Sequence, residues 1–213
     1  MSHDTATAES AKSLTMYADY VCPFCYLGKT SLERYRDERD EPLDVEWRPF
    51  DLRAGKRDAN GAIDSTVDDG KDDDYYAQAR ENVERLKEKY GVEMSLSTAT
   101  AVDSKPAQQA ALFVHEEHPA TFAAFHEAVF DALWQDERDI GDPDVLADIA
   151  GEFDIPTDEL RAAIDDDERE SALEDRFVEA KQAGITGVPT FVFDGHAARG
   201  AVPPEHLQRL VEG

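Results

Sequence analysis

Cysteine is nearly absent from this chain, which has only Cys22 and Cys25 among its 213 residues. A scaffold stapled by several disulfides is therefore excluded. Two thiols separated by two residues can close on each other, open again or attack a partner's disulfide. We therefore expect this pair to carry redox chemistry rather than to cross-link the fold.

Positive charge is also scarce: 22 Lys and Arg residues face 48 Asp and Glu residues, giving a formal net charge of -26. Such a surface repels nucleic acid and anionic membranes, so neither is expected as a partner. Hydrophobic residues still make up 41% of the chain, which favours a folded core over disorder. We interpret the acidic surface as an adaptation to high salt and expect an extreme halophile as the source.

Long hydrophobic runs are missing as well. No apolar stretch approaches the roughly 20 residues of a membrane-spanning helix. The first ten residues, MSHDTATAES, lack the apolar region of a secretory signal. We therefore expect a cytoplasmic protein. Because cytoplasmic thiols are normally kept reduced, a lone CxxC pair there is more typical of a catalytic or metal-binding site than of a structural disulfide.

The hydrophobic pattern of the chain predicts an α/β fold. A strand at 14–18 leads into a helix at 23–39, and residues 43–50 alternate apolar and polar side chains as a half-buried strand does. About 100 mainly helical residues follow. The chain then ends with a helix, two strands joined by an Asp-Gly turn and a closing helix.

These elements predict one α/β domain that is interrupted by an insertion. Residues 13–50 form its first half and residues 168–213 its second half. Residues 51–167 supply a loop followed by an all-helical insertion. The order of elements is therefore βαβ, a helical block and then αββα.

The chemistry of the cysteine pair follows from its predicted place at the start of a helix. Cys22 occupies the N-cap and Pro23 the first helical position, where its missing N–H costs nothing. Cys25 lies one turn further on, on the same side. The free backbone N–H groups and the helix dipole favour a thiolate at Cys22. We therefore expect Cys22 to be the exposed attacker and Cys25 the more buried resolver, acting through a mixed disulfide.

Two other interpretations of the same residues remain open. Cys22 and Cys25 could form half of a zinc site with His115 and His118, although no metal is our main expectation. The chain could also be a peptide-binding module without catalysis. In either case the tyrosines and Phe24 around the cysteines could line a groove, or could simply pack around the start of the helix.

Two segments resemble the DsbA-like thiol–disulfide oxidoreductases, and the FrnE-type branch most of all. They are residues 19–29, DYVCPFCYLGK, and residues 184–193, GITGVPTFVF. The resemblance implies a thioredoxin fold with a helical insertion. It further implies that Val188 precedes a cis Pro189, and that both face the CxxC pair and dock the substrate together with Pro23 and Phe24.

The resemblance also implies partners. They are protein or peptide thiols and disulfides. Glutathione as a co-substrate and a homodimer as the assembly remain open. No cofactor is expected beyond the cysteine pair itself. The kappa-class glutathione transferases and the 2-hydroxychromene-2-carboxylate isomerases share the insertion and the Val-Pro loop. These enzymes typically have serine at the position of Cys22. Because both thiols are present here, dithiol exchange is favoured over their glutathione-dependent chemistry.

Overall fold

A four-stranded sheet forms the centre of the protein, for which a computed structural model describes residues 12–59, 61–64, 66–68, 70–97 and 102–213. The ten N-terminal residues used to argue against a secretory signal lie outside these ranges. No helix within the described ranges is long and apolar enough to cross a membrane.

The first half of the sheet is a βαβ unit. Strand β1 (Leu14–Ala18) buries every second side chain and pairs in parallel with β2 (Val45–Pro49), with Met16 opposite Trp47. Helix α1 (Pro23–Asp37) connects the two strands. Only residues 19–22 separate β1 from α1, so this segment lies at the carboxyl end of a buried strand and at the amino end of a helix.

The second half completes the sheet in the order β2-β1-β3-β4. Strand β3 (Thr190–Phe193) runs antiparallel to β1, and β4 (His196–Arg199) pairs with β3 as a hairpin. The hairpin turn is Asp194-Gly195, whose φ angles of 49° and 79° suit the short turns that favour Asp-Gly. Register places Tyr17, near the end of β1, opposite Thr190 at the start of β3, so the loop before β3 reaches the segment after β1.

Within the described residues, seven further helices follow α1 along the chain. The insertion contributes five of them, with bounds α2 (Asp73–Tyr90), α3 (Lys105–Glu117), α4 (Phe122–Trp134), α5 (Pro143–Gly151) and α6 (Thr157–Ile164). A short 3-10 helix, Ala54–Lys56, precedes them. Helix α7 (Asp167–Gln182) packs on β2, and α8 (Pro204–Glu212) packs on α1 and β4.

The core continues from the sheet into the insertion without a break. One cluster of buried apolar residues includes Leu14 of β1, Leu27 of α1 and Phe130 and Trp134 of α4. The expected α/β class and order of elements are confirmed. The differences are at element ends: β2 begins at Val45 rather than at residue 43, and α1 ends at Asp37 rather than at residue 39.

Candidate active site

The two cysteines lie at the amino end of α1, as the sequence predicted. Cys22 is the N-cap, with extended backbone angles of φ -93° and ψ 112°, and Pro23 is the first helical residue. The backbone N–H of Cys25 donates to the Cys22 carbonyl at 2.9 Å. Both cysteines are free thiols. The helix start therefore holds the two sulfur atoms on the same side of one turn.

The expectation that Cys22 is exposed is wrong, because only 2% of the residue is accessible and Cys25 is fully buried. The loop that precedes β3 folds over the helix start, and the Cys22 Sγ donates to the carbonyl oxygen of Val188 at 3.5 Å. Pro23 and Phe24 are half-buried and remain the open part of the CxxC segment. Access to the attacking sulfur therefore depends on this loop.

The environment of Cys25 keeps that residue a thiol. Burial raises its pKa well above the usual value, and a hydrogen bond to the Cys22 sulfur and the negative charge of Asp19 raise it further. The Cys25 S–H can therefore donate to Cys22, where a thiolate would be the better acceptor. The structure thus distinguishes the two sulfurs by burial and by hydrogen bonding.

The loop before β3 contains Val188 and Pro189, joined by a cis peptide bond. Pro189 is buried, and its carbonyl accepts from the Gly200 N–H at 2.8 Å. The Thr190 hydroxyl donates to the Gly187 carbonyl at 2.7 Å. The first bond ties Pro189 to the residue that follows β4, the second lies within the loop, and the Val188 carbonyl of the same loop contacts Cys22.

Gly28 allows α1 and this loop to approach each other. A Cβ atom on Gly28 would lie 3.0 Å from Pro189 Cγ and 3.3 Å from Phe191 Cζ. Both contacts are with rings that have little freedom to move aside. The sequence motif contained this glycine, but only the structure shows that it sets the distance between the helix and the proline.

Asp19 is a buried acid that the sequence interpretation did not assign. Its carboxylate accepts from the backbone N–H of Leu52 at 2.8 Å and from that of Val21 at 3.3 Å. Burial raises the pKa of this fully buried side chain to about 6 from 3.8. The one sequence signal was an acidic residue that directly follows a buried strand and precedes Cys22 by three positions.

Helix α4 of the insertion makes hydrogen bonds to Tyr20, in the turn before Cys22, and to Tyr26 of α1. The Trp134 indole N–H donates to the Tyr20 carbonyl at 2.8 Å, and the Tyr20 hydroxyl pairs with His126 Nδ1 at 2.6 Å. One turn into α1, the Tyr26 hydroxyl donates to Asp131 at 2.9 Å. Tyr20 and Tyr26 are buried, so these two tyrosines pack the helix start and do not line a peptide groove.

His126 is neutral in this environment. Burial, with a smaller contribution from the charge of Lys29, lowers its pKa to about 3. A neutral imidazole has one N–H donor and one acceptor nitrogen, so Nδ1 and the Tyr20 hydroxyl share a single hydrogen bond. The rings of Trp47, Phe122 and Phe130 surround the imidazole at centroid distances between 5.1 and 5.3 Å.

The histidines of the alternative zinc site lie elsewhere. His115 is in the last turn of α3, and His118 is its C-cap, with its ring against Phe113. Among the residues that the structure describes, no group of three or more His, Cys, Asp and Glu side chains could hold a metal ion. The structure therefore does not bring the His pair to the two cysteines.

Several solved structures share this fold. A probable DsbA oxidoreductase from Streptomyces coelicolor superposes with a TM-score of 0.75 at 22% identity, covering 93% of this chain and 87% of the other. A 2-hydroxychromene-2-carboxylate isomerase gives 0.69 at 16% identity, covering 92% and 91%. The cytosolic disulfide reductase DsbM from Pseudomonas aeruginosa, solved with GSH, gives 0.62 at 19% identity, covering 87% and 88%.

Sequence comparison identifies the family of the chain. The chain is 28% identical over 217 residues to the uncharacterized protein YwbO of Bacillus subtilis, covering 93% of this chain and 94% of that protein. The model of the DSBA-like thioredoxin domain matches residues 13–212, nearly the whole chain. The protein therefore belongs to the DsbA-like thioredoxin domain family, as its sequence resemblance predicted, and is an oxidoreductase.

Proposed function

We propose that the protein catalyses dithiol–disulfide exchange with protein or peptide substrates through Cys22 and Cys25. The observation that carries the proposal is the pairing of two free thiols at the start of α1, one against Val188 and the other fully buried behind it. In the proposed order, Cys22 meets the substrate when the loop before β3 gives access to it, and the fully buried Cys25 then meets only Cys22. The pair therefore has an order of action.

The proposed reaction has two exchanges. In the reducing direction, the Cys22 thiolate attacks a substrate disulfide, forming a mixed disulfide and releasing one substrate thiol. Cys25 then loses its proton and attacks Cys22, releasing the second thiol and leaving a Cys22–Cys25 disulfide. The substrate gains two electrons and two protons, and the enzyme loses them. Oxidation of a substrate is the same sequence in reverse.

The half-buried surface beside Cys22 is the proposed substrate contact. Pro23 and Phe24 flank the cysteine on α1, and the half-buried Val188, which precedes the buried Pro189, flanks it on the opposing loop. An extended segment of substrate can lie between them. For its sulfur to reach Cys22, it must replace the contact between Cys22 Sγ and the Val188 carbonyl.

Replacing each cysteine by serine tests the proposal. We expect Cys22→Ser to abolish both insulin reduction and the oxidative refolding of a scrambled protein. Cys25→Ser should still form the mixed disulfide but accumulate it, which mass spectrometry of the trapped complex detects. Unchanged activity in Cys22→Ser would refute the proposal.

A glutathione-dependent isomerase or transferase is the alternative enzyme, because an isomerase and a GSH-bound reductase share the fold. Such a reaction needs one activated group and no resolving thiol. Cys25→Ser therefore separates the two, since an isomerase or transferase variant would keep turning over. A zinc-binding protein would instead hold stoichiometric metal and lose its fold in chelator. A non-catalytic peptide-binding protein would show no activity that depends on Cys22.

We propose a FrnE-type relationship from the resemblance of residues 19–29 and 184–193, and we also propose a cytoplasmic setting. A cytosolic enzyme among the structural neighbours supports the setting. Homodimer formation is a separate proposal, and light scattering after size-exclusion chromatography measures it directly.

A further inference from the structure

The backbone of Cys22 is held by hydrogen bonds on both sides. Its carbonyl accepts from the Cys25 N–H at 2.9 Å, within the first turn of α1. Its own N–H donates to the Asp19 carbonyl at 3.1 Å, which closes a β-turn over residues 19–22. The direction in which Cys22 projects its sulfur therefore depends on this 19–22 turn as well as on the helix.

Helix α4 of the insertion binds the 19–22 turn at Tyr20, through the backbone and through the side chain of that residue. The hydrogen bond that closes the turn does not use the Tyr20 carbonyl, and the Trp134 indole N–H donates to this oxygen at 2.8 Å. The Tyr20 hydroxyl pairs with His126 Nδ1 at 2.6 Å. Tyr20 is fully buried and Trp134 is 1% accessible. Without the indole N–H, the Tyr20 carbonyl would lose its partner in a place closed to water.

Trp47 of β2 packs beside Tyr20 without binding the turn. Its ring centroid lies 5.9 Å from that of Tyr20 and 5.1 Å from that of His126. Its indole nitrogen is buried and has no hydrogen-bond partner among the residues that the structure describes. The two tryptophans therefore differ in their roles, because Trp134 binds the backbone of the turn whereas Trp47 contributes packing.

We propose that Trp134 and His126 are positioning residues of the dithiol exchange, which hold the 19–22 turn so that Cys22 stays aligned with Cys25 in the resolving step. The proposal rests on the proposed exchange and adds no chemical step to it. Attack of one sulfur on another needs close alignment, so a small displacement of Cys22 slows the reaction. A disulfide also tolerates only a narrow range of Cα and Cβ positions, and distortion makes it more easily reduced.

Stopped-flow reaction of the reduced protein with dithiobis(nitrobenzoate) measures this alignment. Cys22 displaces one thionitrobenzoate and forms a mixed disulfide with the other, which Cys25 displaces as the Cys22–Cys25 bond forms. Trp134→Phe removes the indole N–H and keeps an aromatic ring. We expect this variant to slow the second release by about tenfold, because Cys22 is no longer held in line with Cys25. The first release does not involve Cys25 and should not become slower.

Trp47→Phe is the matched control for this variant. It makes the same substitution beside Tyr20 but removes no hydrogen bond among the described residues, so the second release should keep the wild-type rate. Tyr20→Phe removes the bond to His126 and keeps the bond between Trp134 and the backbone carbonyl. It should slow the second release by less than Trp134→Phe does.

The redox equilibrium with glutathione gives a readout that a loss of stability alone would not move. Destabilisation that acts equally on the dithiol and disulfide forms leaves this equilibrium unchanged. Trp134→Phe should lower the equilibrium constant for forming the Cys22–Cys25 bond by about threefold, because a misaligned pair forms a strained disulfide. Trp47→Phe should keep the wild-type constant. Mass spectrometry after acid quenching and alkylation counts the free thiols at each glutathione ratio.

The outcomes of these measurements are distinct. Release of only one thionitrobenzoate by the wild type would refute the dithiol exchange itself. Two releases with a wild-type second rate and equilibrium constant in Trp134→Phe would refute the positioning role and leave the exchange intact. Equal effects in Trp134→Phe and Trp47→Phe would refute the role of the indole N–H. If Trp134→Phe does not fold, Tyr20→Phe decides, and a wild-type second rate in that variant would refute the proposal.

Discussion

Ionisation of Asp19 opposes folding, because the folded protein holds this carboxyl away from water. Its pKa is about 6 in the folded protein against an ordinary 3.8. A raised acid pKa means that the folded state binds the proton more tightly than the unfolded state does. The side chain therefore favours the fold below its ordinary pKa, and this contribution is lost as pH rises through about 6.

We accordingly predict that Asp19→Asn changes the pH dependence of stability. Asparagine can still accept from the Leu52 N–H but has no charge to bury. The unfolding free energy of the variant minus that of the wild type should rise by about 2–3 kcal/mol as the pH increases from about 4 to about 7.5. Urea titrations at the two pH values measure this gain. A difference between the two proteins that does not change with pH would contradict it.

The close contact between α1 and the loop before β3 controls how deeply Cys22 is buried. Gly28 lies at that contact, where Pro189 leaves no room for a side chain. The Val188 carbonyl then meets the Cys22 sulfur at 3.5 Å. The packing of two elements, rather than the CxxC segment alone, therefore determines the reactivity of the pair.

Gly28→Val tests this packing. We predict a loss of about 1–3 kcal/mol in unfolding free energy, because overpacking against two rings exceeds the few tenths of helix propensity that valine gains over glycine. Alkylation of Cys22 by iodoacetamide should become faster as the loop is displaced. Gly151→Val is the matched helical control, since a Cβ there meets only Thr157 at 3.9 Å. Wild-type stability and reactivity in Gly28→Val would refute the role of this glycine.

Sequence patterns predicted the elements better than they predicted their contacts. The alternation at residues 43–50 and the Asp-Gly turn after β3 are local signals, and the structure has a strand and a hairpin turn at these places. The place of Cys22 and Pro23 at a helix start followed from the same local rules. These features need only neighbours along the chain.

The features that the sequence did not predict depend on residues far apart along the chain. Cys22 is buried by a loop 166 residues away, and the turn containing Tyr20 is held by Trp134, 114 residues away. Long-range packing overrode local chemistry at each of these positions.

At the scale of the whole molecule, the acidic charge is arranged so that part of it stabilises local structure. Acidic residues occupy the first turns of α2, α6 and α7, where the helix dipole favours them. Pairs such as Arg161 with Asp144 and Arg169 with Glu116 connect neighbouring elements. With 48 acids and 22 cations, however, most carboxylates have no cation to themselves, and the net charge of -26 must repel itself.

We therefore predict that salt stabilises this protein and that the effect depends on pH. Raising KCl from about 0.1 M to about 2 M shortens the Debye length from about 10 Å to only a few Å, so repulsion between surface carboxylates is screened. At neutral pH the free energy of unfolding should rise clearly across this range. Near the sequence pI of about 4.4 the net charge vanishes, and the same salt increase should have little effect. Thermal unfolding at both pH values measures the contrast.

Equal stability at low and high salt at neutral pH would contradict the halophilic interpretation. An equal gain at both pH values would show that the salt acts through something other than net charge.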